Sequence, residues 1–157
     1  MHEFPELIRR HQVDPGRLVH VGAAQGREIP AYYEAGFFDI TIVDAAPERV
    51  REVRTRFPGV NVVEVTSATD FRPGAGVFSA HTVVINTPGH ELAVLDGPLW
   101  NDLVILIVAT NAKDTGNAAS PYDLVTEAVT TRGFVEVDRW TRDPRSGADT
   151  IVAYLRP

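Results

Sequence analysis

The chain has 157 residues, 44% hydrophobic and 23% charged, with a formal net charge of −6. That length suits one domain spanning residues 1–157 around a single core, and the composition excludes disorder, collagen and coiled coil. With no Cys, disulfides, thiolate metal sites and cysteine nucleophiles are excluded, while the negative charge argues against a general affinity for nucleic acid or anionic lipid.

No apolar run approaches the roughly 20 residues of a membrane span. The first residues, MHEFPELIRRHQ, hold no apolar signal core, which points to a cytoplasmic protein. A single Lys, Lys113, stands among 15 Lys and Arg, a bias of G+C-rich bacterial or phage coding.

Short apolar runs alternate with longer amphipathic ones. ELIRRHQ is helix-like, the turn Asp14-Pro15-Gly16 follows, and Leu18–Gly22 reads as the first strand. Gly26–Gly36 is predicted as a helix, with Ile29, Tyr32 and Tyr33 at helical spacing and Pro30 early enough to be tolerated. Both tyrosines are expected to pack that helix rather than stack on a ligand. Asp39–Asp44 is the second strand and Pro47–Phe57 the second long helix, with Pro47 suited to its first turn. On it, Arg49, Arg51, Arg54 and Arg56 interleave with Glu48 and Glu52, the pattern of a solvated face.

Val60–Thr66 is predicted as a third strand, 67–76 as a loop, His81–Asn86 as a fourth strand and Glu91–Leu99 as a short helix. Leu103–Ala109 is the most apolar strand and is therefore expected near the middle of the sheet. Tyr122–Arg132 is a helix stopped by Gly133. Phe134–Trp140 and Thr150–Leu155 close the chain, joined by a segment too short for a helical crossover.

This order predicts an α/β protein: an open sheet of about seven strands, mostly parallel, with helices on both faces and a C-terminal antiparallel hairpin. Such a sheet resembles the Rossmann-like sheet of the class I methyltransferases, which use S-adenosylmethionine (SAM). A dehydrogenase-type sheet would continue with parallel strands.

In such sheets the ligand sits beyond the carboxyl ends of the strands. There the chain places Gly22-Ala23-Ala24-Gln25-Gly26, small residues that let a backbone approach a ligand, and Glu28 follows. Two glycines at a strand–helix junction are also plain turn chemistry, and the spacing does not fit G-x-G-x-x-G. Asp44, followed by Ala45, ends the second strand 22 positions after Gly22. A carboxylate there accepts both hydrogen bonds of a ribose diol, or else caps the next helix. Past the third strand, Thr66, Ser67, Thr69 and Asp70 are candidates for contact with an adenine amine. Asn111 and Lys113 follow the fifth strand in a polar loop that either covers a site or, as the plainer reading, is solvent-exposed. The five His show no metal-ligand spacing, and His20, inside a strand, reads as a core residue.

The segment His20-Val21-Gly22-Ala23-Ala24-Gln25-Gly26-Arg27-Glu28 resembles the first motif of the FkbM-like SAM-dependent methyltransferases, roughly "hxGAxxGxE". Val84-Ile85-Asn86-Thr87-Pro88-Gly89-His90-Glu91-Leu92, with Val94-Leu95-Asp96-Gly97, resembles that family's "KIDVxGxExxVLxG" segment. The likeness spans about residues 18–140. It implies SAM as cofactor, bound by Gly22, Ala23, Ala24, Gly26, Glu28, Asp44, Ala45, Ser67, Asp70 and Asn86, and O-methylation of a sugar or polyketide-like small molecule.

The chain departs from the family where Val84 and Asn86 replace Lys and Asp, and where the segment before the fourth strand is short. His90 and Glu91 follow that strand, so they are the catalytic candidates. An imidazole titrates near neutrality and suits a general base; the plainer reading is that the pair opens a helix, with Glu91 favoured by the helix dipole. The departures motivate a second reading: a non-catalytic methyltransferase-fold module, self-associating or bound to an assembly such as a phage virion.

Overall fold

The computed structural model describes residues 3–67, 80–97, 100–110, 120–141 and 150–157. Seven strands form one sheet: β1 Arg17–Val21, β2 Asp39–Asp44, β3 Asn61–Glu64, β4 Thr82–Ile85, β5 Ile105–Thr110, β6 Val135–Thr141 and β7 Thr150–Leu155. Their order across the sheet is β3-β2-β1-β4-β5-β7-β6. The first five run parallel to one another, and β7 runs antiparallel between β5 and β6. The expected mixed sheet and C-terminal hairpin are both present. β5 is interior but one place from the middle, which β4 occupies.

Five helices, α1 Glu3–His11, α2 Ile29–Glu34, α3 Pro47–Arg56, α4 Glu91–Leu95 and α5 Pro121–Thr130, cover the two faces. Alternation along each strand divides the core. Leu18, Ile40, Ile42, Val84, Ile105 and Ile107 face a layer built by Phe4, Leu7 and Ile8 of α1, Ile29 and Tyr32 of α2, and Val53 of α3. Val19, Val21, Val43, Val83, Ile85, Leu106 and Val108 face Val94 and Leu95 of α4 and Val125 and Val129 of α5. Covered on both sides, β1, β4 and β5 lose the polar–apolar alternation of a half-exposed strand.

Local chemistry sets the ends. Pro starts α2, α3 and α5 in the first turn, where no amide donor is required. Ser120 and Asp123 form a reciprocal capping box at α5, each side chain satisfying the other's backbone N–H. α2 is shorter than the predicted Gly26–Gly36, because 24–28 turn before Glu28 caps it. His20 is fully buried, its Nδ1 2.8 Å from the Tyr32 hydroxyl, so the expected core histidine is also the pin for Tyr32.

Burial pushes the Tyr154 phenol up to about 12, partly opposed by its hydrogen bond with Thr126 at 2.9 Å. The folded state therefore holds this proton more tightly than the unfolded chain does. That contribution is complete below pH 10, the unfolded value, and is lost as pH rises toward 12. Denaturant titrations in that window should show a flatter decline in stability for Tyr154→Phe than for the wild type. Parallel declines would refute the linkage.

Candidate functional site

The registers of the parallel strands bring three chain segments together at one sheet edge. Val21 pairs with Val43 on one side and with Ile85 on the other, so β1, β2 and β4 end level. The next residues after Val21, Val43 and Ile85 are Gly22, Asp44 (the last of β2) and Asn86. β1 is also where the strand order reverses, the position at which open α/β sheets open a crevice.

Gly22 has φ +78°, and a Cβ on it would lie 2.2 Å from the Asn86 carbonyl oxygen. Its N–H donates to the Val43 carbonyl at 2.8 Å, and Asn86 N–H donates to Val21 at 2.9 Å. Only glycine lets the two strand ends approach this closely. Ala24 also has positive φ, +50°, an uncommon conformation for a residue with a side chain.

Asp44 holds Ala24 there. Its side chain is 5% exposed; Oδ2 accepts from Ala24 N at 3.1 Å and Oδ1 from Ala46 N at 2.9 Å. Of the two expectations for Asp44, the geometry shows the one that ties it to the next helix, and adds a second bond to the glycine loop. Asp44 braces the start of α3, whose N-cap Ala46 contributes no side-chain bond, and it braces the glycine loop. A carboxylate carries about four lone-pair sites, so two remain for a ligand's hydroxyls.

Two adjoining cavities open at this edge. The smaller, about 180 Å³, has a floor of Val21, Val43, Ala45 and Val65 and polar walls of Asp44, Asn86, Thr87 and His90. The larger, about 720 Å³, runs over the glycine loop and α2, past Gln25, Arg27, Glu28 and Glu34. Arg49 and Asn86 line both. The Thr87 hydroxyl is buried and finds no hydrogen-bond partner among the described residues. A buried donor without a partner costs about 1–3 kcal/mol, which a bound polar ligand would offset.

The expected site residues divide by place. Gly22, Ala23, Ala24, Glu28, Asp44, Ala45, Asn86 and His90 line one or both cavities. Gly26 is buried inside the loop with φ +67°, shaping the loop rather than lining a cavity. Ser67 is described but is absent from the described cavity walls; Thr69, Asp70, Asn111 and Lys113 fall outside the described residues. His90 is exposed at the N-cap of α4 and makes no side-chain cap bond. Glu91 is only 5% exposed, and its Oε1 accepts from Gly89 N at 3.2 Å. It closes the turn before α4 and lines neither described cavity, whereas His90 lines the smaller one.

The arginines of α3 are exposed, as expected of a solvated face, and two of them also reach backbone carbonyls. Arg54 donates to the Val62 carbonyl at 3.1 Å, tying α3 to β3. Arg56 donates to Gln25 O and to Glu52, both at 3.2 Å, bracing the glycine loop from outside. Arg49 and Thr87 are among the cavity residues that sequence reasoning missed. Thr87 had a signal, since it directly follows Asn86 at a strand end.

No model of a known protein family matches the chain, and no curated protein does. Solved structures do match. Magnesium protoporphyrin IX methyltransferase ChlM from Synechocystis PCC 6803, solved with bound SAM, aligns with a TM-score of 0.71 at 12% identity, over 98% of this chain and 76% of that one. A TehB-like SAM-dependent methyltransferase from Corynebacterium glutamicum gives 0.65 at 13%, over 98% and 87%. The glycopeptide N-methyltransferase MtfA gives 0.64 at 12%, over 99% and 89%. Identities this low speak to architecture and not to activity. The chain has the fold of the class I methyltransferases.

Proposed function

We propose that this chain is a SAM-dependent methyltransferase that seats the nucleoside of SAM in the smaller cavity. The observation that carries this reading is the make-up of that cavity. It combines a braced carboxylate, an orphaned buried hydroxyl and an apolar floor at the crevice between β1 and β4. Asp44 would accept the ribose hydroxyls, with Val43, Ala45 and Val65 against the base. The close approach at Gly22 keeps the edge low enough for a ligand to lie across it. The bound SAM of one structural neighbour supports the same choice of cofactor.

The chemistry supplied by bound SAM is an electrophilic methyl group on a sulfonium. The protein's part is to align a nucleophile with it and to accept a proton. His90 is the proton acceptor in this proposal: exposed on the rim of the smaller cavity, with no cap bond to hold it. Glu91 is buried, closes the turn through Gly89 N and lines neither described cavity, so this reading gives it no part in proton transfer.

The FkbM-like resemblance supports O-methylation of a sugar or polyketide-like acceptor. The porphyrin and glycopeptide in the names of two neighbours share no chemistry that selects an acceptor here.

Calorimetric titration with SAM and S-adenosylhomocysteine tests the reading, with micromolar dissociation constants expected. No heat and no thermal shift at millimolar cofactor would overturn it in favour of the non-catalytic module.

A further inference from the structure

The two cavities meet at Arg49 and Asn86. A molecule with its nucleoside in the smaller cavity and its tail in the larger one must pass this wall. In SAM that tail ends in an ammonium and a carboxylate. Arg49 stands on that shared wall beside Asp44, so a carboxylate passing it meets a cation as well as a like charge.

The arginines near the cavities are not equivalent. Arg27 has Nε and Nη2 on the Gln25 side-chain oxygen at 3.0 and 2.7 Å. Arg54 and Arg56 are committed to backbone carbonyls. Arg49 has one charged approach among the described residues: its Nη1 lies 3.9 Å from Asp44 Oδ1, beyond hydrogen-bond reach. Its side chain is half exposed, and the guanidinium carries five N–H donors in a planar fork matched to a carboxylate. Glu28 stands on the larger cavity at the end of the glycine loop, an opposite charge on the same wall.

We propose that Arg49 binds the carboxylate of the methionine end of SAM, with Glu28 facing the ammonium. The inference rests on the cofactor reading above. It assigns recognition of the amino-acid end to a side chain on α3, outside both motifs that suggested the family. Arg49 also screens the incoming carboxylate from Asp44, which lets one small site hold a ribose acceptor and an anion together.

The experiment compares S-adenosylhomocysteine with 5′-methylthioadenosine, which keeps the nucleoside and thioether but lacks the amino-acid end. Titration calorimetry on the wild type should show tighter binding of S-adenosylhomocysteine. Arg49→Gln should weaken that ligand about ten- to a hundredfold, the usual effect of losing hydrogen bonds to a charged group, and leave methylthioadenosine within about twofold. Arg49→Lys should restore part of the loss, because it returns the charge without the fork. Equal weakening of both ligands, or of neither, would overturn the role of Arg49 and leave the cofactor reading intact. If the wild type binds neither ligand, both fall.

Discussion

Gly22→Ala is expected to lower stability by about 2–5 kcal/mol and to abolish binding in the smaller cavity. Two costs add. A left-handed backbone at φ +78° costs an L-residue roughly 1–2 kcal/mol. Overpacking adds about 1–3 kcal/mol, because the new methyl would lie 2.2 Å from the Asn86 carbonyl oxygen and 2.9 Å from its carbon. Neither backbone can retreat easily, since Gly22 N is bonded to Val43 and Asn86 N to Val21. Relief would require parting β1 from β4 at the crevice. The fall in melting temperature should be roughly 5–15 °C for a chain of this size. Gly89→Ala is the control: its φ is similar, +83°, but nothing lies within 4 Å of the added Cβ. It should show the conformational cost alone. Equal losses in the two variants would refute the crowding at Gly22.

The sheet and the place of the candidate site were legible for a physical reason. Hydrophobic runs, Pro at helix starts and Gly at turns act locally, and a segment too short for a crossover leaves the last two strands antiparallel. Asp44 could be found because strand periodicity puts the end of β2 at that residue.

What escaped depends on contacts distant in sequence. Arg56 forms the exposed ion pair with Glu52 that its spacing on α3 predicts, and also braces a carbonyl 31 positions away, which only the fold reveals. Arg49 was hidden by the same interleaving. Glu91 was nominated by its neighbour His90, but its side chain turned back to the Gly89 amide.

Val84 shows the limit of motif comparison. It stands where the resembled family has Lys, which suggests a substitution at a site. Its side chain is 1% exposed, packed in the layer under α1 and α2. An ammonium there would lose its hydration without a partner, so Val84 belongs to the core of this chain. Asn86, two residues on, lies past the end of β4 and does reach the cavities. The two departures are therefore unlike: one fills the core and one changes the site.

Asp44→Asn is the second change with a large expected effect, and it separates the two tasks of that residue. The carboxylate presents one oxygen to Ala24 N and the other to Ala46 N. An amide offers one oxygen, so either flip points its NH₂ at a backbone donor. One buried N–H is left unsatisfied, at about 1–3 kcal/mol. If the lost partner is Ala24, the residue at φ +50° is freed and the glycine loop relaxes. The affinity for S-adenosylhomocysteine should also fall about ten- to a hundredfold, because the charged acceptor of the ribose hydroxyls is gone. Chemical denaturation measures the first effect. Calorimetry well below the melting temperature of the variant measures the second. Reduced stability with unchanged affinity would assign Asp44 to bracing the loop and α3 alone, and would move the ribose away from the end of β2.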